Sequence, residues 1–461
     1  RKRPTIGTHA PCTFPCWGRT LAMFAAGCRA PVQGISEVPT AWHGAFLPPP
    51  VQVTKIAGKN EGLTASRGLR KGETIFTEKP VASFSLSSTP HCSHCCRSLV
   101  TASHVRERLA QVHPGNDACT DCVAGESVSF ARLDACWPEL EAVSCTRCEE
   151  STYCSNHCMK AAAGYHALLC VGTESQEGTQ ERLALQDYVD AVSETADCLV
   201  KIKTFPGLVV KLVAMMLADA RAAAAAEMGD EGPRESDPEI RSSEAGLDND
   251  EDKKTQSLLE DAHEKVLAGM VGVEAAALPD YDYIGFRDAM ARGMRLSEGE
   301  RGWLRVTVVQ TVFAVLCANA IRARPSCPFE TYVKTLRATT PAQERMSMLD
   351  EVVGACRAVC RDSELPANRI DHAMWEVFGT EAACIYRLQC KCNHDCDANA
   401  QSVTYTLQDC TLDLVASKDI RAGSEICITY VDPEHTAGRR KRALKEMHGF
   451  ECACNRCAAN E

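Results

Sequence analysis

The chain has 461 residues, 61 acidic against 50 basic side chains, and 28 cysteines. Its length suggests two or three units at roughly 100–200 residues per domain, and a hydrophobic content of 45% excludes general disorder. A formal charge of −11 argues against coating nucleic acid through net charge, and the longest apolar stretch, Val306 to Ile321, carries Gln310 and Asn319, so it reads as a buried helix and not a membrane span.

Residues 1–50 are proline-rich, with Pro48-Pro49-Pro50 at their end, and poor in acids; they read as a disordered leader. Leu21 to Gly27 is too short an apolar core for a secretory signal, and export would expose the many thiols to oxidation. From Val51 the texture changes to short strands and turns. Leu69-Arg70-Lys71-Gly72-Glu73-Thr74-Ile75 is echoed far downstream by Ile420-Arg421-Ala422-Gly423-Ser424-Glu425-Ile426. In both, a glycine turn leads into alternating apolar positions, as expected of one sheet interrupted by a long insertion.

Residues 91–170 are dense in cysteine. Cys145-x2-Cys148, Cys154-x3-Cys158 and His166-x3-Cys170 have the order and spacing of tetrahedral zinc sites in a reducing compartment. Six ligands are too many for one ion and two short of two closed sites, so a further pair is needed upstream. Cross-bracing puts Cys92, Cys95, Cys154 and Cys158 on one ion, and Cys145, Cys148, His166 and Cys170 on another. Cys119-x2-Cys122 is the rival for the first pair.

Residues 183–228 show helical spacing, and the polar, acidic stretch 227–261 reads as a solvated loop. Helical patterns resume from Tyr283 to Val377 and give way to a β-like region up to Tyr430. The basic run Arg439 to Arg442 reads as a solvated helix face, a modest patch for nucleic acid or an acidic partner. Cys452-x-Cys454-x2-Cys457 closes the chain with three ligands and one vacancy, so a distant cysteine is required.

Three C-terminal motifs stand in order: CNHDCDANA (Cys392 to Ala400), ICITY (Ile426 to Tyr430) and FECACNRC (Phe450 to Cys457). This trio resembles the SET-domain protein lysine methyltransferases, whose pattern runs NHSCxPN, a strand ending in Tyr, then a post-SET CxCxxC. The cysteine-rich insert resembles a MYND zinc finger, and a MYND finger that splits a SET domain is the arrangement of the SET-and-MYND-domain methyltransferase family. The resemblance covers roughly residues 51–461 and is thin over 175–375.

It implies an α+β fold: a SET β-fold split between 51–90 and 376–432, a MYND finger over 91–172, a helical insert over 173–375 with a disordered acidic loop at 227–261, and a post-SET zinc segment over 433–461. It implies S-adenosylmethionine (SAM) as methyl donor, three zinc ions, and a lysine of a histone or non-histone protein as substrate, with a proline-rich peptide as a possible partner of the finger. A catalytically degenerate scaffold that presents the finger is the alternative. Residence in nucleus or cytoplasm is the matching expectation.

Residue by residue, the resemblance puts Lys59, Asn60, Glu61 and Gly62 in a glycine motif where backbone approaches SAM. Asn393 and His394 also fall on the cofactor, Tyr430 on the active-site tyrosine, and Phe450 on an aromatic that packs against adenine. Cys396 falls on the fourth ligand of the third zinc, with Cys452, Cys454 and Cys457. Departures are equally specific. Asn60 replaces a glycine, and Glu61 stands where a basic or neutral residue is usual, near the expected SAM carboxylate. Asp395 and Ala398 replace Ser and Pro, which loosens a tight turn. His448 stands in place of a second tyrosine lining the lysine channel.

Overall fold

A computed structural model describes residues 49–59, 61–111, 130–172, 176–195, 200–229, 248–274, 278, 280–404 and 408–459. The leader up to residue 48, Asn60, Cys119 and Cys122 lie outside the described residues. The chain is α+β. Strands β1 (Val51–Lys55) and β2 (Glu61–Ala65) form an antiparallel hairpin, followed by β3 (Thr74–Glu78) and β4 (Ala82–Phe84). Helix α1 (Ala102–Ala110) starts at a Thr101–His104 capping box, and α2 (Leu133–Cys136) is a single turn. The hairpin β5 (Val143–Ser144) and β6 (Thr152–Tyr153) leads to α3 (Asn156–Leu169), whose cap Ser155 accepts from the Cys158 amide.

The insert contains α4 (Gln176–Thr195), α5 (Val200–Gly229), α6 (Asp248–Leu267), α7 (Tyr283–Gly293), α8 (Glu298–Trp303) and α9 (Val306–Asn319). Strand β7 (Ile321–Ala323) precedes α10 (Pro328–Thr339), α11 (Arg345–Cys360) and α12 (Ile370–Phe378). Then come β8 (Ala382–Ile385), β9 (Asn393–His394), β10 (Ala400–Val403), β11 (Leu412–Ala416), β12 (Glu425–Ile428), α13 (Ala437–His448) and α14 (Asn455–Ala458).

The two echoing stretches do meet. Leu69 and Ile420 exchange both backbone hydrogen bonds, at 2.8 and 2.9 Å, and the following glycines turn with positive φ, +84° at Gly72 and +78° at Gly423, where a Cβ would be strained. The contact is one residue pair, and the strands beyond it diverge into two sheets, β1-β2-β12-β9 and β10-β11-β3, instead of the one expected.

The insert departs from its expected boundaries twice. Asp248–Leu267 is a helix, not a loop, because Leu259, Ala262, Val266 and Leu267 form a buried stripe against α5 and α8; the charged composition of 227–261 masks a stripe that runs past its end. The insert also supplies β7, which pairs antiparallel with β8 in the order β4-β8-β7. Nor is 91–172 one packing unit. Val100, Phe130 and Trp137 share a core with Phe329, Tyr332 and Phe378, whereas Cys92, Tyr153 and Tyr165 pack on the insert.

Helix α5 is buried on all sides from Phe205 to Val213, as expected of an apolar helix inside a large core. Its one buried charge among the described residues is Lys211. The ammonium donates to the carbonyls of Ser83 on β4 (2.8 Å), Ser93 (3.1 Å) and His94 (2.9 Å), and lies 5.4 Å from the Tyr165 ring centre. All three of its donors are satisfied, which makes burial tolerable. Lys211 thus pins three segments together: insert, β4 and the turn between Cys92 and Cys95. Lys211→Met is expected to cost about 1–3 kcal/mol, read as a lowered urea midpoint against wild type.

Candidate active site and metal centres

Three tetrads of potential ligands converge: Cys92, Cys95, Cys154 and Cys158; Cys145, Cys148, His166 and Cys170; Cys396, Cys452, Cys454 and Cys457. Within each, the ligand atoms all lie within 4.8 Å of one another. The first two are the groupings expected from spacing and cross-bracing, and the third, with the distant Cys396, is the one the resemblance implies. Sulfurs about 2.3 Å from a tetrahedral zinc would be about 3.8 Å apart. The separations are 3.6 Å for Cys95–Cys154, 3.5 Å for Cys154–Cys158, 3.9 Å for Cys145–Cys170 and for Cys396–Cys452, and 3.5 Å for Cys396–Cys457; Cys148 Sγ is 3.7 Å from His166 Nε2. These lengths match the edges of such a tetrahedron and are far too long for disulfides.

The second focus is the crossing of two chain segments. Strand β9 runs parallel to β12, with Asn393 beside Cys427 and His394 beside Ile428, and β12 pairs on its other side with β2. This brings the glycine motif against the NH motif. Asn393 Nδ2 donates to the Glu61 carbonyl (3.1 Å) and to Glu425 Oε1 (2.9 Å). Glu425 also receives the Lys59 ammonium at 2.9 Å. Burial opposes the charge on Lys59, yet Glu425 and its acidic surroundings hold the ammonium above its ordinary pKa. Gly62 is dictated by space: a Cβ there would stand 2.6 Å from Ile56 Cγ1 and 2.7 Å from Asn393 Nδ2.

Glu61 does not face the crossing as an unbalanced charge. Its carboxylate is 2.6 Å from Lys391 Nζ, whose hydrogen bond and charge hold it below the ordinary carboxylate value. Lys391 also donates to the Gly269 carbonyl of the insert.

Tyr430 lies two residues past the end of β12, not within the strand as expected; the ladder stops at Ile428. Its hydroxyl donates to the Cys392 carbonyl at 2.6 Å, and burial pushes that hydroxyl's pKa well up, so it stays protonated. His394 and His448 flank it, with ring centres at 5.4 and 4.7 Å. Phe450 is 6.4 Å away and 36% exposed, which leaves a face open to a ligand. His394 is buried, its pKa pushed down to about 4 by desolvation; its Nδ1 accepts from the Tyr430 amide (3.1 Å), and its Nε2 lies 3.2 Å from Cys396 Sγ.

The turn expected to be loose is held. Asp395 Oδ1 accepts from the Asp397 amide (2.8 Å), and Ser417 Oγ donates to the Ala398 carbonyl (3.2 Å). The basic run is likewise corrected: Arg440 is 2% exposed and points into the third tetrad, while Arg439 and Arg442 face solvent.

The sequence reading missed four participants. Glu425 and Lys391 are ordinary surface-type residues until the fold brings them to the glycine motif. Arg440 hides in a basic run. Asn399 mimics a missing strand, donating to the Glu425 carbonyl (2.8 Å) and accepting from the Cys427 amide (2.9 Å); as the last residue of the NHSCxPN-like stretch, it could have been singled out.

The SET-domain family profile matches residues 60–431; the chain belongs to the SET-domain family. It is similar to the protein-lysine N-trimethyltransferase SMYD5 of Gallus gallus, 26% identical over 419 residues that span 87% of this chain and 84% of that protein. The Homo sapiens protein of the same name is 25% identical over 425 residues, 87% and 85% of the respective chains. A shorter segment of 75 residues, 16% of either chain, is 41% identical to the histone-lysine N-methyltransferase SET5 of Scheffersomyces stipitis. The resemblance to SET-and-MYND-domain methyltransferases is borne out by these relatives.

Because a methyl group at residue 62 must displace Ile56 or the Asn393 amide, Gly62→Ala is expected to lower stability by about 1–3 kcal/mol. Urea unfolding would measure it, and Gly354→Ala in α11, which has open space for its Cβ and no positive φ, gives the comparison.

Proposed function

We infer that the chain is a SAM-dependent protein-lysine N-methyltransferase. The observation that carries this reading is the Tyr430 hydroxyl, fixed on the Cys392 carbonyl within a cluster of His394, His448 and Phe450, directly beside the Glu61–Asn393–Glu425 crossing.

The donor set fits the methyl donor. Lys59, Glu425 and the Asn393 amide offer both signs of charge to a zwitterionic amino-acid end, and the open face of Phe450 offers a stacking surface for adenine. We assign Lys59, Glu61, Gly62, Asn393, His394, Tyr430 and Phe450 to this site on those grounds; Asn60 belongs to it by position in the motif. When bound, SAM supplies a sulfonium methyl group electrophilic toward an amine, and a positive charge that disfavours the ammonium form of the substrate.

The chain's own residues do the rest. A free lysine has a pKa of roughly 10.4, so the amine must be desolvated, and the ring cluster around Tyr430 removes water from it. Tyr430 has spent its proton on Cys392, so toward the amine its oxygen can only accept. An acceptor there holds an amine N–H and turns the nitrogen lone pair away from the tyrosine, which is orientation catalysis. His448 supplies the opposite wall.

The three tetrads are read as zinc sites. The first two form the proposed MYND finger within the split SET fold, whose partner would be a proline-rich peptide. The third pins the C-terminal flap that carries His448 and Phe450. The scaffold alternative, motivated by Glu61, Asp395 and His448, is not favoured: the charge of Glu61 is compensated by Lys391, and Asp395 braces its own turn by accepting the Asp397 amide. Substrates are lysines of histone or non-histone proteins.

Two measurements test the reading. Transfer of labelled methyl from SAM to lysine-rich protein, with products resolved by mass spectrometry, should be lowered about 100-fold or more by Tyr430→Phe while SAM binding by calorimetry persists; equal activity of the variant would sink the assignment. Elemental analysis of the purified chain should give about three zinc per molecule, and stripping the metal with chelator should abolish transfer.

A further inference from the structure

The one buried member of the basic run has no role in the reaction as described. Arg440 is 2% exposed, its Nε is 3.3 Å from Cys396 Sγ, and its Nη2 is 3.7 Å from Cys457 Sγ. Its Nη1 donates to the His435 carbonyl. We propose that Arg440 is a positioning residue: its guanidinium bridges two thiolates of the third metal centre and thereby fixes Tyr430 through the chain Cys396–His394. The inference rests on the zinc reading above.

The argument is one of charge and geometry. A buried guanidinium needs strong acceptors, and a neutral thiol is a weak one. Two sulfurs as its partners make sense as thiolates. Four thiolates around one divalent cation carry a net charge of −2, which the Arg440 guanidinium partly offsets. Cys396 and Cys457 sulfurs are 3.5 Å apart, a span that the guanidinium covers with two donors in one rigid plane, where an ammonium on a flexible stem holds its partners less firmly.

The same Cys396 sulfur faces His394 Nε2 at 3.2 Å, while His394 Nδ1 accepts the Tyr430 amide at 3.1 Å. With Nδ1 an acceptor, the ring proton sits on Nε2 and points at the sulfur. One sulfur therefore receives both Arg440 and His394. If it shifts, the histidine shifts, and the backbone of the active-site tyrosine goes with it. Residues that hold metal ligands from outside the coordination shell commonly change metal affinity or activity by about 10- to 100-fold.

The experiment compares zinc-loaded wild type, Arg440→Met, Arg440→Lys, Arg439→Met as the exposed neighbour, and Cys396→Ser. Zinc release to a chromophoric chelator is followed in time, alongside kcat and the KM for SAM. Expected are loss of one zinc in Cys396→Ser and release of one zinc from Arg440→Met about 10- to 100-fold faster than from Arg439→Met. A fall in kcat that exceeds the change in KM should accompany it. Release from Arg440→Met no faster than from Arg439→Met overturns the inference alone. If Cys396→Ser loses no zinc, the metal reading falls with it. Should Arg440→Met fail to fold, Arg440→Lys, which keeps the charge but lacks the planar fork, carries the test: release about 10-fold faster than wild type supports the bridge, and unchanged release overturns it.

Discussion

The parallel pairing of β9 with β12 is the constraint on which the site depends. It is only two residues long, so it cannot hold itself by ladder hydrogen bonds alone. Side chains complete it. Asn399 bonds the β12 backbone as a third strand would, Asn393 ties it to β2 through Glu61, and Glu425 gathers Asn393 and Lys59. Burial of Glu78 adds a second brace: its carboxylate accepts the amides of Arg387, Leu388 and Gln389, at 2.6, 2.9 and 3.1 Å, and so sets where the segment leading to Asn393 begins. Polar groups buried in a crossing are costly unless each is satisfied, and here they are arranged to satisfy one another. The position of Tyr430 is the product of that network.

The C-terminal flap poses a different problem. Its own buried cluster consists of Leu444 and the cysteines 396, 452 and 457. One leucine buries apolar surface worth only about 2–3 kcal/mol, far less than the ordering cost of a segment that holds a helix and a turn. A metal held by this tetrad, whose Cys396 lies outside the flap beside β9, would make up the difference, because ligand binding is converted into folding energy. The flap carries His448 and Phe450, which stand around Tyr430, so that tetrad bears on how the ring cluster is held.

The insert is more than a spacer between the two halves of the sheet system. Its β7 joins β8, its Gly269 carbonyl meets Lys391, and its Lys211 grips β4 and the Cys92–Cys95 turn. The Lys391 contact ties the helical layer to the glycine motif at Glu61. A residue that departs from the family pattern is thereby stabilised by one that no motif includes.

Much was legible in the sequence. Zinc chemistry fixes ligand type and local spacing, so Cys145 to Cys170 and Cys452 to Cys457 announce themselves, and the order of motifs from Gly62 to Tyr430 pointed to an α+β SET domain. The glycine turns at Gly72 and Gly423 announced the two stretches that meet. Tertiary structure alone decided the rest. The helix at Asp248–Leu267 exists because its stripe finds α5; by composition it is a loop. The echoing strands enter two sheets because they touch at one pair only. Lys391 and Glu61, Glu425 and Lys59, and Arg440 and Cys396 are pairs far apart in the chain, and charge pairing depends on distance in space, which neither spacing nor composition encodes.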